Sequence, residues 1–507
     1  MLARAVGGTL WQASTTVVQL FLQLGVTATL GRLLEPAEFG LVAIATAVAA
    51  FAGLVAQLGV GQALIQRQHL DERIVRAGFG LSATGGLLVA LLVAAAAGPL
   101  ADAFLEPAAA PFIRLVGLSV LGIGLGTTSD ALLQRDMRFR DHGVITVASY
   151  GVGYGLVAIP LAALGAGAWS LAAAPVVQAL FKAALTFAAR RHDVRPLLSL
   201  GLWRELIGFG GGVTVSRLLN ALALQGDNII VARALGPVAL GLYSRSYQLM
   251  LIPVQLVGQT MANVLFPGLS RVQDARAPLR EAYLTAASFA TLLGGASAAV
   301  FVVLAPEIIG VLLGAGWEGA IAPFRILSAV IMLRVAYKLD DTLAKATGAI
   351  SARLVRDIVY SGAILVGVAI AVRWGIGAAA LAVSVAIGLN WALGLAMSLR
   401  ITETPWRRYV ASQRSSLLLV PAVGLLALGL KAAVTGLTSH PLAVLALVVA
   451  SVAVVMAVMV WLWPQLLTAS QRRVVAVGLR AIPLLPMAGA LAVRLAPDLS
   501  SPRLERP

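Results

Sequence analysis

Long apolar stretches dominate the hydrophobic pattern of this chain. About twenty consecutive helical residues cross the hydrocarbon core of a bilayer, and runs of this length recur along the sequence between short polar segments. Of the 507 residues, 59% are hydrophobic and 12% are charged, and the mean hydropathy is +0.91. These values are far from those of a soluble domain. The pattern therefore predicts an all-α polytopic membrane protein.

We expect about fourteen transmembrane helices, of which the seventh, eighth and tenth contain charged residues that lower their hydropathy. A further apolar stretch at 474–495 is broken by two arginines and two prolines, and we expect it to lie at the membrane interface. The approximate extents of the predicted helices are 9–30, 39–62, 78–97, 111–133, 143–164, 168–189, 208–232, 239–266, 283–304, 319–343, 355–372, 377–399, 415–434 and 441–463.

Parts of the first half of the chain reappear in the second half. The segment GRLLEPAEFGL at 31–41 returns 201 residues later as ARALGPVALGL, and APFIRL near residue 110 returns as APFRIL near residue 322. Such repeats are typical of transporters built from two related halves. We predict an N-terminal six-helix lobe at 1–200, a second six-helix lobe at 201–402, two appended helices at 403–465, and a cytosolic or interfacial tail at 466–507.

Positive charge is concentrated on one side of the predicted membrane protein. The net charge is +16, and the loops after even-numbered helices hold 20 arginines and lysines, whereas the loops on the other side hold three. Because loops rich in arginine and lysine stay in the cytosol, both termini are predicted to be cytosolic. The basic loops suit the anionic lipids of the inner leaflet, so no nucleic acid is expected as a partner.

Sequence motifs of enzymes and metalloproteins are not apparent. The chain has no cysteine and no Walker A sequence, and its four histidines lack the spacing of metal ligands. No Ser/His/Asp group or carboxylate pair falls on one predicted helix face. The glycine-rich segments at 122–126 and 151–155 lie inside apolar helices, which favours close helix packing over phosphate binding. We expect no enzymatic activity, no cofactor and no metal.

Charged and polar residues inside the predicted membrane helices carry the functional signal. A charge at the bilayer centre costs at least ~2.5 kcal/mol, so such residues should face a cavity or a polar partner. The seventh and eighth helices join at Leu235-Gly236-Pro237, and the first, seventh and eighth helices each carry one polar stripe. The predicted substrate-binding residues are Arg217, Arg245, Arg334, Gln19, Asn220, Gln248 and Gln255.

Asp227 lies well inside the seventh predicted helix. We predict that it couples transport to H⁺ or Na⁺, and the alternative is a structural ion pair with Arg217 or Arg245. The excess of arginine over acid in these segments predicts a cationic chamber, which suits a phosphate-bearing anion. Lys182 lies within about two turns of a helix end, and we expect its ammonium group to extend to the membrane interface.

Three segments carry a family resemblance. They are LGRLLEPAEFGLVAIATAVAAFAGLVAQLGVGQALIQR at 30–67, LLQRDMRFR at 132–140 and ARALGPVALGLYSRSYQLMLIPVQLVGQTMANVLFPGLSR at 232–271. They resemble the polysaccharide transporter family, the Wzx-type flippases of lipid-linked oligosaccharides within the multidrug/oligosaccharidyl-lipid/polysaccharide exporter superfamily. The likeness is greatest to the exopolysaccharide and colanic-acid-type branch. The layout of helices extends it over about residues 1–465.

The resemblance implies a flippase of the bacterial inner membrane. Such a protein moves undecaprenyl-pyrophosphate-linked oligosaccharide units to the outer leaflet by alternating access, for exopolysaccharide or lipopolysaccharide export. The expected partners are the lipid-linked oligosaccharide, membrane lipids, a coupling H⁺ or Na⁺, and a polysaccharide polymerase or export complex. A cation-coupled multidrug exporter of the same superfamily is the alternative, and it would favour acidic cavity groups. A membrane glycosyltransferase or polymerase would need catalytic acids or a large outer loop, and neither is visible.

Overall fold

The computed structural model describes residues 2–438 and 440–462, together with Gln465, Leu467, Gln471 and Arg472. In this part of the chain every regular element is helical, because long apolar segments satisfy their backbone N–H and C=O groups without water by forming helices. The stretch at 474–495 predicted to be interfacial lies outside the described residues. The α-helices are α1 (Leu2–Leu33), α2 (Pro36–Gln57), α3 (Val60–Gln66), α4 (Glu72–Ala95), α5 (Ala97–Ala103), α6 (Ala110–Arg135), α7 (Phe139–Tyr150), α8 (Ile159–Ala163), α9 (Ala168–Ala189), α10 (Leu200–Arg271), α11 (Arg276–Val303), α12 (Ala305–Leu312), α13 (Ile321–Ala329), α14 (Ile331–Ala346), α15 (Ile350–Ala371), α16 (Ile376–Ile401), α17 (Trp406–Ser412), α18 (Arg414–Thr435) and α19 (Pro441–Leu462).

Among the described residues, eleven segments are long and apolar enough to cross a membrane. A twelfth candidate is a bent pair of helices that includes α13 and α14, whose two parts meet at 46°. The fold is therefore that of an all-α, multi-pass membrane protein, as the apolar runs predicted. The number of fourteen spans stays a prediction, because the expected seventh and eighth helices both fall in α10, whose charged residues lower its hydropathy.

Helix α10 consists of two helices that meet at Gly236. This residue has φ 80° and ψ −177°, a conformation that residues with a Cβ atom rarely adopt. Pro237 follows at once, and its fixed φ suits the first turn of a helix. The junction predicted from Leu235-Gly236-Pro237 is confirmed.

The chain forms two compact units. Unit 1 contains Met1–Tyr247, Leu312–Pro323 and Ser361–Val383, and unit 2 contains Gln248–Val311, Phe324–Tyr360 and the residues from Ser384 on. In unit 1, α6 packs against α2, α4 and α9, and in unit 2, α11 packs against α14 and α18. The predicted six-helix lobes at 1–200 and 201–402, and the appended helices at 403–465, stay a prediction.

Close helix contacts in unit 1 depend on the glycines of α6. A methyl group on Gly124 would lie 2.4 Å from the carbonyl oxygen of Ser82, and one on Gly122 would lie 2.8 Å from the carbonyl carbon of Ala179. Only a residue without a side chain allows α6 to approach α4 and α9 this closely. The glycine-rich segment at 122–126 is a helix-packing surface, as its apolar setting predicted.

The two copies of the internal repeat contact each other within unit 1. A methyl group on Gly40 would lie 1.8 Å from the carbonyl oxygen of Pro237, and one on Gly241 would lie 1.9 Å from that of Pro36. The glycine of each copy thus packs against the proline of the other copy. This reciprocal contact gives the sequence repeat a structural counterpart.

The second repeat also has matching local structure. The APFIRL segment follows the 3₁₀ turn Pro107–Ala109, and the APFRIL segment follows the 3₁₀ turn Glu318–Ala320. The two copies then differ, because α6 continues without a break whereas the second copy is interrupted at Val330, between α13 and α14. The two copies therefore begin with the same local structure and differ in the helix that follows.

Candidate functional site

Unit 1 contains a cavity of about 350 Å³, which is near the lower end of the range for ligand pockets, ~300–1,000 Å³. Helices α2, α3, α6, α9 and α10 supply its wall. Among the described residues that line it, two are cationic and one is acidic, so the wall has a net positive charge. Its polar lining residues are Gln57, Gln62, Thr127, Asp130, Gln134, Lys182, Thr186 and Arg217.

A sharp turn between α2 and α3 shapes one side of the cavity. Leu58 has φ 45° and ψ 25°, and Gly59 has φ 71°, so two successive residues leave the right-handed helical conformation. The chain changes direction there and resumes as α3. Because of this break, Gln57 at the end of α2 and Gln62 on α3 both line the cavity.

Asp130 is the acid of the cavity, and donors from three helices surround it. The side-chain amide of Gln134 on α6 donates a hydrogen bond of 2.9 Å to Oδ2. Nε2 of His142, on α7, lies 3.2 Å from Oδ1, and Nζ of Lys182, on α9, lies 3.6 Å from the same oxygen. The side chains of Asp130 and Lys182 are 24% and 34% exposed. The lysine expected to extend to the membrane interface therefore pairs with an acid at the cavity.

Arg217 extends from α10 on another part of the cavity wall. Its side chain is exposed. When the amide of Gln62 is oriented with its oxygen toward α10, that oxygen accepts a hydrogen bond of 3.1 Å from Nη1 of Arg217. A glutamine leaves the positive charge of the arginine uncompensated, so Arg217 retains its attraction for an anion.

Arg245 has different, largely aromatic surroundings. Its guanidinium carbon lies 4.6 Å from the centre of the Phe39 ring, a cation–π contact. The Phe39 ring in turn packs edge-on against Trp317, with 5.1 Å between ring centres. Tyr150 and Tyr154 stack 4.6 Å apart at the start of the π-helical segment Gly151–Ala158. π-Helical segments often occur at functional sites.

Asp227 is buried in the first of the two helices of α10, with 2% of its surface exposed. Its Oδ2 accepts a hydrogen bond of 2.8 Å from the hydroxyl of Tyr243, and its Oδ1 accepts one of 2.9 Å from the backbone N–H of Asn228. The carboxylate thus connects the two helices that meet at Gly236. Its predicted coupling role stays a prediction.

The remaining predicted site residues lie in varied surroundings. Gln248 and Gln255 are exposed on α10, and Gln19 is half-buried on α1. Arg334, on α14 in unit 2, is 3% exposed. The side chain of Asn220 lies outside the described part of the chain. The structure places Arg217 beside Gln62 and Arg245 beside Phe39.

The cluster around Asp130 is a site feature that sequence reasoning missed. Its acid, histidine and lysine lie on three separate helices, and helical periodicity relates only residues of the same helix. Asp130 and Lys182 were each visible as ionisable residues in apolar segments. An intramembrane acid and an intramembrane lysine in one predicted lobe were the available signal, since such groups tend to pair.

Comparison with known proteins identifies the family. A family model described as "Polysaccharide biosynthesis protein" matches residues 29–322, which is more than half of the 507 residues. The chain belongs to this family. The resemblance inferred from the three sequence segments is therefore confirmed.

Relatives of this chain include a named transport protein and a named lipopolysaccharide biosynthesis protein. The succinoglycan biosynthesis transport protein ExoT of Rhizobium meliloti (strain 1021) is 32% identical over 292 residues, which are 57% of this chain and 59% of the relative. The chain thus matches about three fifths of that protein's length. The lipopolysaccharide biosynthesis protein WzxC of Escherichia coli (strain K12) is 23% identical, over 65% of this chain and 68% of the relative.

Solved structures with the same fold include a flippase and a multidrug transporter. The lipid II flippase MurJ in an inward closed conformation matches with a TM-score of 0.72 and 13% identity, over 90% of this chain and 99% of the other. An inward-facing multidrug transporter of the MATE family matches with a TM-score of 0.59 and 15% identity, over 76% and 96%. At these identities the likeness concerns the fold alone.

Proposed function

We propose that this family member is a flippase of the bacterial inner membrane, with both termini in the cytosol. It moves undecaprenyl-pyrophosphate-linked oligosaccharide repeat units from the cytosolic to the outer leaflet, for exopolysaccharide or lipopolysaccharide export. Family membership and the transport protein of Rhizobium meliloti support this proposal. The observation that carries it is the net positive cavity of unit 1, lined by Arg217 and Lys182, because such a wall attracts the diphosphate of a lipid-linked sugar.

The substrate path follows the predicted polar residues. Arg217 receives the diphosphate from the cytosolic side, and Arg245 holds it after the two six-helix lobes have turned outward. Arg334 offers a further cation, and the side chains of Gln19, Asn220, Gln248 and Gln255 contact the sugars. Guanidinium groups suit these steps because they bind phosphate oxygens through two parallel hydrogen bonds. Asp227 couples the movement of the lobes to a gradient of H⁺ or Na⁺, and a polymerase or export complex receives the product.

Export of cationic drugs is the second candidate, because the fold is shared with a multidrug transporter. A cationic drug would need an acidic or aromatic site, whereas the described cavity has more cations than acids. An anionic substrate is therefore the better match. We also propose that the protein performs no chemistry on the sugar.

Deletion of the gene and reconstitution of the protein test this function together. The deletion strain should lack the surface polysaccharide and accumulate its lipid-linked repeat unit in the inner membrane. Proteoliposomes of the purified protein should expose a labelled lipid-linked oligosaccharide from the opposite leaflet faster than protein-free liposomes. Normal surface polysaccharide in the deletion strain, together with inactive proteoliposomes, would show that the function is different.

A further inference from the structure

We propose that the cavity of unit 1 is a phosphate-binding site in which Lys182 exchanges Asp130 for the ligand while Asp130 takes up a proton. This inference rests on the proposed function, since the substrate of that function carries a diphosphate. It adds to the site an exchange of the partner of Lys182 and a proton acceptor, Asp130. The ligand class is a phosphate or diphosphate group, whether attached to a lipid or free.

The size and charge of the cavity suit this ligand. A volume of about 350 Å³ accommodates a diphosphate but not a whole lipid-linked oligosaccharide. Lys182 and Arg217 bring two positive charges to the wall, and the side chains of Gln57, Gln62 and Thr186 add neutral hydrogen-bonding groups. Cations together with neutral donors are the usual composition of a phosphate site.

The charged and titratable groups around Asp130 come from three helices, and a neutral amide comes from a fourth. Its own helix supplies Gln134, which is neutral, and α7 supplies His142. Helices α9 and α10 supply Lys182 and Arg217 to the same cavity. The glutamines of α2 and α3 are neutral. Without a ligand, Asp130 therefore compensates Lys182, and Arg217 gives the cavity its excess positive charge.

A bound phosphate changes this balance. Its oxygens compete with Oδ1 of Asp130 for the ammonium group of Lys182, which lies only 3.6 Å from that oxygen. Once Lys182 has turned to the ligand, two anionic groups share a half-buried cavity. Repulsion between like charges then favours the neutral, protonated form of the carboxyl.

His142 offers a route for the proton. Its Nε2 lies 3.2 Å from Oδ1 of Asp130, within reach of a direct proton transfer. A proton from water passes through the imidazole to the carboxyl, so no covalent bond other than those to this proton forms or breaks. When the ligand leaves, Asp130 releases the proton and pairs with Lys182 again. Asp130 thus balances charge at binding, and this role is separate from the coupling proposed for Asp227.

The sign of the pH dependence makes the proposal testable. Binding of inorganic diphosphate and of a short-chain polyprenyl diphosphate can be measured by calorimetry on the purified full-length protein at about pH 6 and about pH 8. The wild type should bind more tightly at the lower pH. Asp130→Asn, which is neutral and leaves Lys182 free, should bind severalfold more tightly than the wild type at the higher pH. Lys182→Gln should bind roughly tenfold more weakly at both.

Lys431→Gln is the matched control. Lys431 is another intramembrane lysine with an acidic partner, Glu307, at 2.8 Å. Because Lys431 lies in unit 2, its substitution should leave the binding of diphosphate unchanged. The double variant Asp130→Asn/Lys182→Gln leaves neither charge unpaired. It should bind weakly, with no more pH dependence than the ligand's own titration causes. If either single variant folds poorly, the double variant still tests the proposed binding site.

Two results would overturn the proposal. One is an Asp130→Asn variant that binds no more tightly than the wild type at the higher pH, and the other is a Lys182→Gln variant that binds like the Lys431→Gln control. Binding of inorganic diphosphate would indicate that free phosphates enter, and binding of the polyprenyl diphosphate alone would indicate the lipid head group. Binding of either ligand supports the site. If the protein binds neither ligand, the proposal is contradicted. The wild-type protein could flip its substrate in proteoliposomes while the Lys182→Gln variant binds diphosphate as tightly as the wild type. That combination would disprove this site and leave the proposed flippase function supported.

Discussion

The hydroxyl of Tyr243 donates a hydrogen bond of 2.8 Å to the carboxylate of Asp227 across the kink at Gly236. Both residues are buried, Asp227 to 2% exposure and Tyr243 completely. A titratable group on the helix before Gly236 is thus connected to the helix after it.

Replacement of Asp227 by asparagine tests the coupling role. If Asp227 couples transport to an ion gradient, Asp227→Asn should abolish the stimulation of flipping by a pH or sodium gradient in proteoliposomes and leave protein yield normal. Tyr243→Phe is the control, since it removes the hydrogen bond but keeps the acid. It should lower stability by about 1 kcal/mol and retain the response to the gradient.

A structural role of Asp227 predicts a different result. Removal of one partner of a buried ion pair costs ~3–5 kcal/mol, so Asp227→Asn would then fold poorly. Neutralising Arg217 or Arg245 in the same chain should partly restore the yield. A well-folded Asp227→Asn variant that still responds to the gradient contradicts the coupling role.

Alanine at Gly40 or Gly241 should force the two repeat copies apart. Each added methyl group would meet a carbonyl oxygen at less than 2 Å, and such overpacking costs about 1–3 kcal/mol. The effects should not add in the double variant, because one separation of the backbones relieves both contacts. The measurement is the midpoint of thermal unfolding in detergent.

Gly155→Ala is the control for this experiment. Among the described residues, no atom beyond its chain neighbours and the adjacent backbone of its own helix lies within 4 Å of the position that its Cβ would occupy, and alanine stabilises a helix relative to glycine. This variant should unfold at the same temperature as the wild type or above it. If Gly40→Ala and Gly241→Ala unfold at that temperature as well, the close reciprocal contact does not persist in the membrane protein.

The sequence predicted those features of the fold that depend on neighbouring residues. Runs of apolar residues specify helices because their length and composition are local properties. The kink of α10 could be placed because Gly236 and Pro237 each have a particular backbone preference. The break between Leu58 and Gly59, where φ is positive at a leucine, was not predicted, since it depends on how α2 and α3 pack rather than on a proline.

The site was predicted less completely, for a physical reason. Arg217 and Asp227 could be chosen because a charge inside an apolar segment is unfavourable and so needs a function or a partner. Which partner it finds is a property of tertiary packing. Lys182 was expected to extend to the membrane interface, but it lies 3.6 Å from Asp130 on a different helix. No pattern within either helix carries that information.

Thiol labelling of intact cells tests the predicted orientation. The chain has no cysteine, so single cysteines can be introduced without background. Cysteines at Ala108 and His440, both exposed, should react with an impermeant reagent added outside after the outer membrane has been made permeable. Cysteines at Gln68 and Ala411, also exposed, should react only after lysis, because their loops belong to the basic side. Labelling at Ala411 but not at His440 would reverse the orientation of α18 and α19.

Alanine substitutions of Arg217 and Arg245 test the binding of diphosphate along the proposed path. Both variants should be produced at normal levels yet fail to restore surface polysaccharide in the deletion strain. Lysine keeps the charge but not the planar fork that binds two phosphate oxygens, so Arg217→Lys and Arg245→Lys should restore an intermediate amount. The measurement is the quantity of surface polysaccharide relative to the wild-type gene.

Arg373→Ala provides the matched control for these substitutions. Arg373 also forms a cation–π contact, at 5.1 Å from the centre of the Trp374 ring, but it lies in the 3₁₀ turn Val372–Trp374, which carries no predicted site residue. Its removal should leave export unchanged, since a cation–π contact at an exposed site contributes only ~0.5–1 kcal/mol. If the Arg217 and Arg245 variants lose export and the Arg373→Ala variant does not, the loss results from removing the charges of Arg217 and Arg245 from the transport path. Full restoration by both alanine variants would mean that these arginines are structural and that another group binds the diphosphate.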